Sequence, residues 1–447
     1  MTLAEPKFER LRTAMQNAPK FRLYGRVEQV VGLVVESSGP VASIGHLCFV
    51  STRDSDGNMR EVPVEVVGFR GPRTLLMPLG DLDGIRAGDL VHGTGEFLSV
   101  PIGMNLLGRI LDGLGQPLDG KPAPMCEQQY PTMANPPNAL DRRMISRPME
   151  TGVRAIDGLI TLCEGQRMGI FAGSGVGKST LLGMIARNAE ADVNVICLVG
   201  ERGREVREFI ENDLGPEGLK KSVIVCATGD TPALMRIKAA FTATAIAEGF
   251  RDMGKSVLLM MDSVTRFAMA QRELGLAVGE PPSTKGYTPS VFALLPRLME
   301  RAGMGPKGAI TALYTVLVEG DDTNDPIADA ARGILDGHLV LNRRLTSRGH
   351  YPPIDILQSL SRTMPFVVSP EQMLKANELR ELMAAYNDVE DLVSIGAYKK
   401  GSKAISDRAI DRIDSINGFL RQDKAEFTSL PDAQTGVLQA ITPDSGP

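Results

Sequence analysis

The sequence predicts an α/β fold: a core built on a parallel sheet, with a small β-barrel before it and a helical domain after it. Strand and helix patterns alternate between residues 151 and 363, and this rhythm is typical of a parallel sheet covered by helices. Short strands at regular spacing fill residues 23–95, which favours a small barrel. From residue 370 onward the apolar spacing is helical.

Length and composition indicate an ordinary globular protein of two or three domains. The chain has 447 residues, of which 43% are hydrophobic and 23% charged. The net charge is −5, there is no Trp and no long basic run, so we expect no nucleic-acid partner. The five cysteines are scattered and the four histidines lack metal spacing. We expect reduced thiols in a cytoplasmic protein without a membrane span.

The first part, residues 1–22, is predicted to contain an amphipathic helix. Within residues 5–19, Phe8, Leu11 and Met15 share one helical face. Basic residues outnumber acidic ones between Glu5 and Arg26. Such a helix can bind a partner helix or an anionic membrane surface, or it can pack on its own domain.

The second part, residues 23–95, is the predicted β-barrel domain. Turn signals separate the strand candidates, which are rich in Val, Leu and Phe. The candidates are Val27–Glu36, Ile44–Val50, Val62–Phe69 and Thr74–Pro78. Residues 96–150 are rich in Pro and Gly, and we interpret them as an extended segment leading into the main domain.

The third part, residues 96–369, contains the predicted parallel sheet. A long helix, Pro232–Met253, precedes the fourth of five strand candidates. The candidates are Arg167–Phe171, Val193–Val199, Ser222–Ala227, Val257–Asp262 and Ala309–Leu317. Ligands in such sheets bind at the carboxyl ends of the strands.

A glycine-rich turn after the first of these strands carries the strongest chemical signal. Strand, Gly-rich turn, Gly-Lys-Ser and helix form the arrangement that cradles phosphate in backbone N–H groups. Lys178 is expected to neutralise the β- and γ-phosphates, and the Ser179 hydroxyl to hold Mg²⁺. Ala172 replaces the first glycine of the strict pattern, which we expect to be harmless. The predicted nucleotide-binding residues are Gly173, Ser174, Gly175, Val176, Gly177, Lys178, Ser179 and Thr180.

Three stretches further along the chain carry charged residues that are candidates for the active site. Asp262 ends an apolar strand, the place where P-loop enzymes keep a metal-linked Asp. Glu201 and Glu205 follow another strand, and either carboxylate could orient an attacking water. Arg362 could neutralise charge on a transferred phosphoryl group, as arginine fingers do, although most arginines are simply solvated.

The fourth part, residues 370–447, is predicted as a helical domain with a disordered tail. Helix candidates are Glu371–Tyr386, Asp388–Ser394 and Asp407–Leu420. Residues 425–447 are polar with prolines, so we expect them to be poorly ordered.

Long motifs resemble the rotary ATP synthase α/β family. They are the run Ala172–Ser179, the triplet Gly200–Arg202 and the run Pro352–Ser361. A second set of motifs is similar to the type III secretion ATPases, most of all to their flagellar protein-export branch. This set comprises Arg266–Ala277, Gly279–Pro282, Gly286–Phe292 and Val318–Asp329.

The resemblance implies a RecA-like P-loop ATPase core that hydrolyses ATP with Mg²⁺. By matched position, Glu201 is the glutamate that polarises water and Arg202 is a phosphate-sensing arginine. Asp262 is the metal-linked aspartate, and Tyr351 stacks on adenine. Arg362 is the finger that reaches into a neighbouring subunit. Asp321–Asp325 match a loop facing a central pore.

The resemblance also implies partners and a place in the cell. It implies a homohexamer, a stator-like regulatory dimer at the N-terminal helix and a central stalk protein near Ala397–Lys403. It further implies a membrane export gate, export chaperones and their substrates, with the ATPase cytoplasmic and peripherally attached to the inner-membrane apparatus.

Four alternatives stay open at this point. The same enzyme could serve a virulence-type injectisome. It could be a proton-pumping V- or F-type subunit, or a hexamer that translocates RNA and resembles the Rho termination factor. The fourth is a non-catalytic scaffold, which the intact set of Lys178, Glu201 and Asp262 argues against.

Overall fold

The structure is a computed structural model that describes residues 24–54, 56–318 and 325–442. The chain divides into two compact units, one ending at Leu98 and the other beginning at Ser99. The helix predicted within residues 5–19 lies outside the described residues, as does most of the motif Asp321–Asp325. No described helix is long and apolar enough to cross a membrane.

The first unit contains a closed barrel of six strands in the order β1-β2-β5-β4-β3-β6. Its interior is filled mainly by valines, among them Val35, Val50, Val64 and Val91. The strands are β1 Tyr24–Val31, β2 Val34–Ser37, β3 His46–Arg53, β4 Met59–Arg70, β5 Arg73–Pro78 and β6 Leu90–Phe97.

The predicted barrel is confirmed, but two of its details differ from expectation. The single strand expected over Val27–Glu36 is an antiparallel hairpin, because Gly32 takes a φ of 58° and reverses the chain. The apolar residues on both sides of Gly32 hid that turn. Strand β6 was not predicted, since Gly93 and Gly95 interrupt its pattern.

The segment 96–150, expected to be a connection, contributes strands from Ser99 onward. Strands β7 Ser99–Ile102 and β9 Gln128–Pro131 pair with each other. Strand β8, Arg109–Leu111, joins the edge of the central sheet. Ile102 and Leu111 are buried in the main core, so this segment is part of the domain.

The central sheet has the strand order β17-β16-β10-β15-β13-β11-β12-β8, with β14 paired to β15 outside this path. Its inner pairings are parallel, as predicted, whereas β14 and β17 run antiparallel to their neighbours. The remaining strands are β10 Arg167–Ala172, β11 Val193–Val199, β12 Ser222–Ala227, β13 Ser256–Asp262, β14 Gly303–Met304, β15 Ala309–Leu317, β16 Gly337–Leu341 and β17 Leu360–Ser361.

Helices cover both faces of this sheet, which is why its strands are mostly apolar. In β11, Val195 and Cys197 face one core while Ile196 and Leu198 face the other. Phe209–Leu214 continues α3 as a π-helical segment. The helices are α1 Arg154–Leu159, α2 Lys178–Asn188, α3 Gly203–Glu208, α4 Gly215–Lys220, α5 Ala233–Asp252, α6 Val264–Val278, α7 Pro289–Met299, α8 Pro326–Ile334, α9 Arg343–Ser347, α10 Pro370–Asn387, α11 Glu390–Ser394, α12 Ala404–Leu420 and α13 Leu430–Ile441.

The prediction of a poorly ordered tail over residues 425–447 is wrong for helix α13. Ser429 caps this helix by accepting a hydrogen bond from Asp432 N. Val437, Ala440 and Ile441 are buried in the same core as helices α10 and α12. Their spacing of three and four residues is helical, but the polar residues and the proline in the first half of the helix masked it.

Candidate active site

The glycine-rich turn Gly173–Gly177, predicted to bind phosphate and called the phosphate-binding turn below, joins β10 to α2. Gly175 and Gly177 take φ values of 74° and 93°, a left-handed backbone that favours glycine. Ala172 ends β10 in register with Leu317, so an alanine fits there without strain. At Gly173 the reason for a glycine is space, because a Cβ at that position would lie 3.3 Å from Arg343 Nη2.

Lys178, Glu201 and Asp262 converge at the carboxyl ends of three strands. Lys178 begins α2, and its ammonium forms an ion pair with Asp262. The same Nζ lies 3.5 Å from Glu201 Oε1. Strands β11 and β13 are neighbours, with Leu198 in register with Asp262, and this pairing brings the two carboxylates to one place.

Asp262 is held by a second partner that sequence analysis missed. Thr315 Oγ1 donates to Asp262 Oδ1 at 2.8 Å, and both residues are buried. Strand β15 also contains Thr311 and Tyr314, so the hydroxyl of Thr315 gave no distinct signal in the sequence. The fixed carboxylate of Asp262 and the hydroxyl of Ser179 are hard oxygen donors, the kind that Mg²⁺ prefers.

The carboxyl group of Glu201 is partly buried next to one positive and two negative side chains, and these surroundings shift its pKa. Burial raises its pKa to about 7, Lys178 opposes that rise, and Asp262 and Glu205 add to it. The position next to Lys178 singles out Glu201 from Glu205, a distinction that spacing could not make. Glu205 instead accepts a hydrogen bond from Arg202 Nη1 at 3.3 Å.

Arg202 does not point into the cluster around Lys178. Its side chain is 80% exposed and pairs with Glu205 on the surface. The structure therefore brings together Lys178, Glu201 and Asp262 and leaves Arg202 facing solvent.

Tyr351 lines a cavity of about 310 Å³ beside the phosphate-binding turn. Gly177, Thr180 and Met184 form one wall, and Pro352 and Pro353 extend the wall around Tyr351. The third wall, which sequence analysis missed, is the loop Gln422–Lys424 after α12. Gln422 N donates to the Tyr351 carbonyl at 2.9 Å, so this loop fixes the position of the aromatic residue.

Arg362 lies away from the lysine cluster of its own chain. It follows β17, the edge strand, whereas β10 is two positions further into the sheet. Its backbone N donates to Asp336 O at 2.9 Å and its Nη1 to Leu335 O at 3.4 Å. The site around Lys178 is thus built in this chain without Arg362.

Single residues of two further predicted regions make defined contacts. Asp325, the last residue of the proposed pore loop, caps α8 by accepting hydrogen bonds from Ile327 N and Ala328 N. In the basic stretch Ala397–Lys403, Lys400 pairs with Asp411 at 3.0 Å.

Sequence models of known families match three parts of the chain. The ATP synthase alpha/beta family, nucleotide-binding domain, matches residues 152–361, and the beta-barrel domain of the same family matches residues 27–95. The T3SS EscN ATPase C-terminal domain matches residues 368–439.

Two curated relatives cover almost the whole chain. A flagellum-specific ATP synthase of Bacillus subtilis is 54% identical over 98% of this chain and 99% of its own length. A type 3 secretion system ATPase of Xanthomonas euvesicatoria is 54% identical over 95% of each chain. The chain belongs to the type III secretion ATPases of the ATP synthase α/β family. It is therefore an ATPase with a nucleotide-binding core.

Solved structures of this ATPase family share the fold. The assembled ATPase EscN from enteropathogenic E. coli is 45% identical and aligns with a TM-score of 0.88 over 94% of this chain and 100% of its own. EscN in complex with its central stalk EscO is 44% identical, with a TM-score of 0.86 over the same shares, 94% and 100%. The predicted α/β core, barrel and C-terminal helices are thereby confirmed.

Proposed function

We propose that this type III secretion ATPase serves the flagellar protein-export apparatus and hydrolyses ATP at the interfaces of a homohexamer. The observation that carries the interface part of the proposal is the separation of two groups of residues within one chain. Lys178, Glu201 and Asp262 form one cluster, while Arg362 follows the edge strand β17. A second copy would supply the arginine that each cluster lacks.

In this proposal the phosphate-binding turn holds the ATP phosphates. The backbone N–H groups of Gly173–Gly177 and the helix dipole of α2 face the anion, and Lys178 neutralises it. Ser179 and Asp262 are oxygen donors that fit Mg²⁺, which when bound neutralises phosphate charge. The bound nucleotide also releases Lys178 from Asp262, because phosphate oxygens compete for the ammonium.

Glu201 is proposed to orient and deprotonate the attacking water. Its raised pKa suits this task, because a base works best when its pKa is near the operating pH. Tyr351 is proposed to stack on the adenine in the cavity beside α2. Arg202, which follows Glu201 in the chain, is proposed to sense phosphate.

The partners follow from the resemblance and from the relatives. EscN has been solved with its central stalk EscO, which supports a stalk protein contacting Ala397–Lys403 here. We propose a stator-like dimer at the N-terminal helix, and an export gate, chaperones and export substrates as further partners. The protein would be cytoplasmic and peripherally attached to the inner-membrane export apparatus.

The second candidate function is the ATPase of a virulence-type injectisome. It is favoured by the Xanthomonas euvesicatoria relative, which is as similar as the flagellar one at 54% identity. Deleting the gene and scoring motility and effector secretion separates the two. Loss of motility with intact secretion supports the flagellar function, and the opposite result supports the injectisome.

A further inference from the structure

We propose that Arg343 is a positioning residue for the phosphate-binding turn, and that helix α9 links this position to the C-terminal helices through an ion pair of Arg348 with Glu390. The inference rests on the proposed nucleotide site. Sequence patterns gave no sign of it, because Arg343 and the residue it contacts are 169 positions apart.

The first link is a hydrogen bond from α9 to the turn. Arg343 Nη2 donates to the Ser174 carbonyl at 3.1 Å. Within a trans peptide the C=O and the next N–H point in opposite directions. By holding the Ser174 carbonyl on its own side, Arg343 aims the N–H of Gly175 to the other side, where the turn receives phosphate. The guanidinium also brings positive charge beside the turn.

The second link anchors the start of α9 to the nucleotide cavity. Asn342 caps the helix by accepting a hydrogen bond from Arg344 N at 2.9 Å. Its amide Nδ2 donates to Asp355 Oδ2 at 2.9 Å, and its backbone N donates to Pro353 O at 2.9 Å. Pro353 lines the cavity with Tyr351. The first turn of α9 is therefore fixed to both the phosphate and the base side of the site.

The third link joins the end of α9 to the C-terminal helices. Arg348 Nη1 lies 2.7 Å from Glu390 Oε1, and Glu390 begins α11. A cavity of about 330 Å³ separates α9 from these helices, lined among others by Leu345, Met383 and Leu420. Because this cavity lies between α9 and the C-terminal helices, the ion pair of Arg348 with Glu390 is the contact that connects them. A shift of α11 would then reach Ser174 through one short, rigid helix.

Nucleotide affinity measures this linkage directly. Affinity for a fluorescent ATP analogue is compared among variants in an E201Q background, which removes hydrolysis. We expect R343A to weaken binding about tenfold, the usual size for loss of a charge-assisted hydrogen bond. R343K, which keeps the charge and a donor, should retain most of the affinity. R344A, the exposed neighbour on the same helix, is the matched control, and thermal unfolding reports folding of every variant.

The coupling is tested by combining changes at the two ends of α9. E390Q alone should weaken binding by a smaller factor, and the double variant R343A/E390Q should bind no more weakly than R343A. An unchanged affinity in R343A, an inert E390Q, or effects that multiply would each overturn the inference. Absence of nucleotide binding in the parent protein would instead overturn the proposed function, so the two failures are distinguishable.

Discussion

Glu201 Oε1 lies 3.5 Å from Lys178 Nζ, although 23 residues separate the two along the chain. The lysine stabilises the carboxylate, whereas burial and the nearby Asp262 destabilise it, and the net result is a raised pKa. A carboxyl group balanced in this way can both accept a proton from water and release it again.

Replacing Glu201 by Gln should abolish turnover and preserve nucleotide binding. The amide keeps the size of the side chain but cannot accept a proton, so we expect the rate to fall by roughly 10²–10⁴-fold. Steady-state phosphate release and analogue binding measure the two properties. Glu208→Gln is the control, because that exposed residue pairs with Arg204 on the same surface helix. If Glu205→Gln rather than Glu201→Gln stopped turnover, the assignment of the base would be wrong.

The rate should depend on the ionisation of Glu201. Its carboxyl has a pKa raised to about 7, so below that pH the protonated form predominates and cannot take a proton from water. The value of kcat/KM should therefore rise with pH through about 7 and level off above it. A profile measured from pH 5.5 to 9 checks this expectation. A flat profile over that range would show that Glu201 does not act as the base in the free enzyme.

Arg362 should act on a neighbouring subunit. Two inactive variants, Lys178→Ala and Arg362→Ala, are mixed in equal amounts before assembly. An interface with Lys178 on one side and Arg362 on the other regains both groups, so about one quarter of the wild-type rate should return if assembly is random. Each variant alone, treated in the same way, is the control. No recovery in verified mixed assemblies would place Arg362 outside the catalytic interface.

Helix α13 should contribute to folding through close contact with α1. A Cβ added to Gly158 would lie 2.8 Å from Val437 Cγ2 and 3.2 Å from Ala433 O. Gly158→Ala should therefore lower the free energy of unfolding by about 1–3 kcal/mol. Chemical denaturation monitored by far-UV circular dichroism measures the change.

Gly418→Ala is the matched control for that experiment. Gly418 also lies inside a helix, α12, but a Cβ there would meet nothing within 4 Å. Alanine should stabilise this position by about 0.5–1 kcal/mol, because it restricts the unfolded chain. If both substitutions stabilised the protein equally, the described packing of α13 would be incorrect.

The core strands and the lysine cluster were predictable because their signals are local. The observed limits of β11, Val193–Val199, and of β12, Ser222–Ala227, match the predicted ones, since each strand is a mostly apolar run. Lys178, Glu201 and Asp262 could be expected together because parallel strands end at one edge of a sheet.

The parts that were missed depend on contacts between distant residues or on interrupted patterns. The contact of Arg343 with Ser174 spans 169 positions, and that of Thr315 with Asp262 spans 53. Neither leaves a spacing that a sequence reveals. Helix α13 was missed because its polar residues resemble those of a disordered tail. Val437 and Ile441 become buried only when the helix packs on parts of the fold that come from earlier in the chain.

The central claim is that each active site is completed by a second subunit. The most direct test is the ATPase rate per subunit as a function of protein concentration, with the size of the particle measured at the same concentrations. We expect a steep rise from near zero that follows assembly, because an isolated chain holds Lys178 and Glu201 without a neighbour's Arg362. A substantial, constant rate from particles of monomer size would contradict the claim.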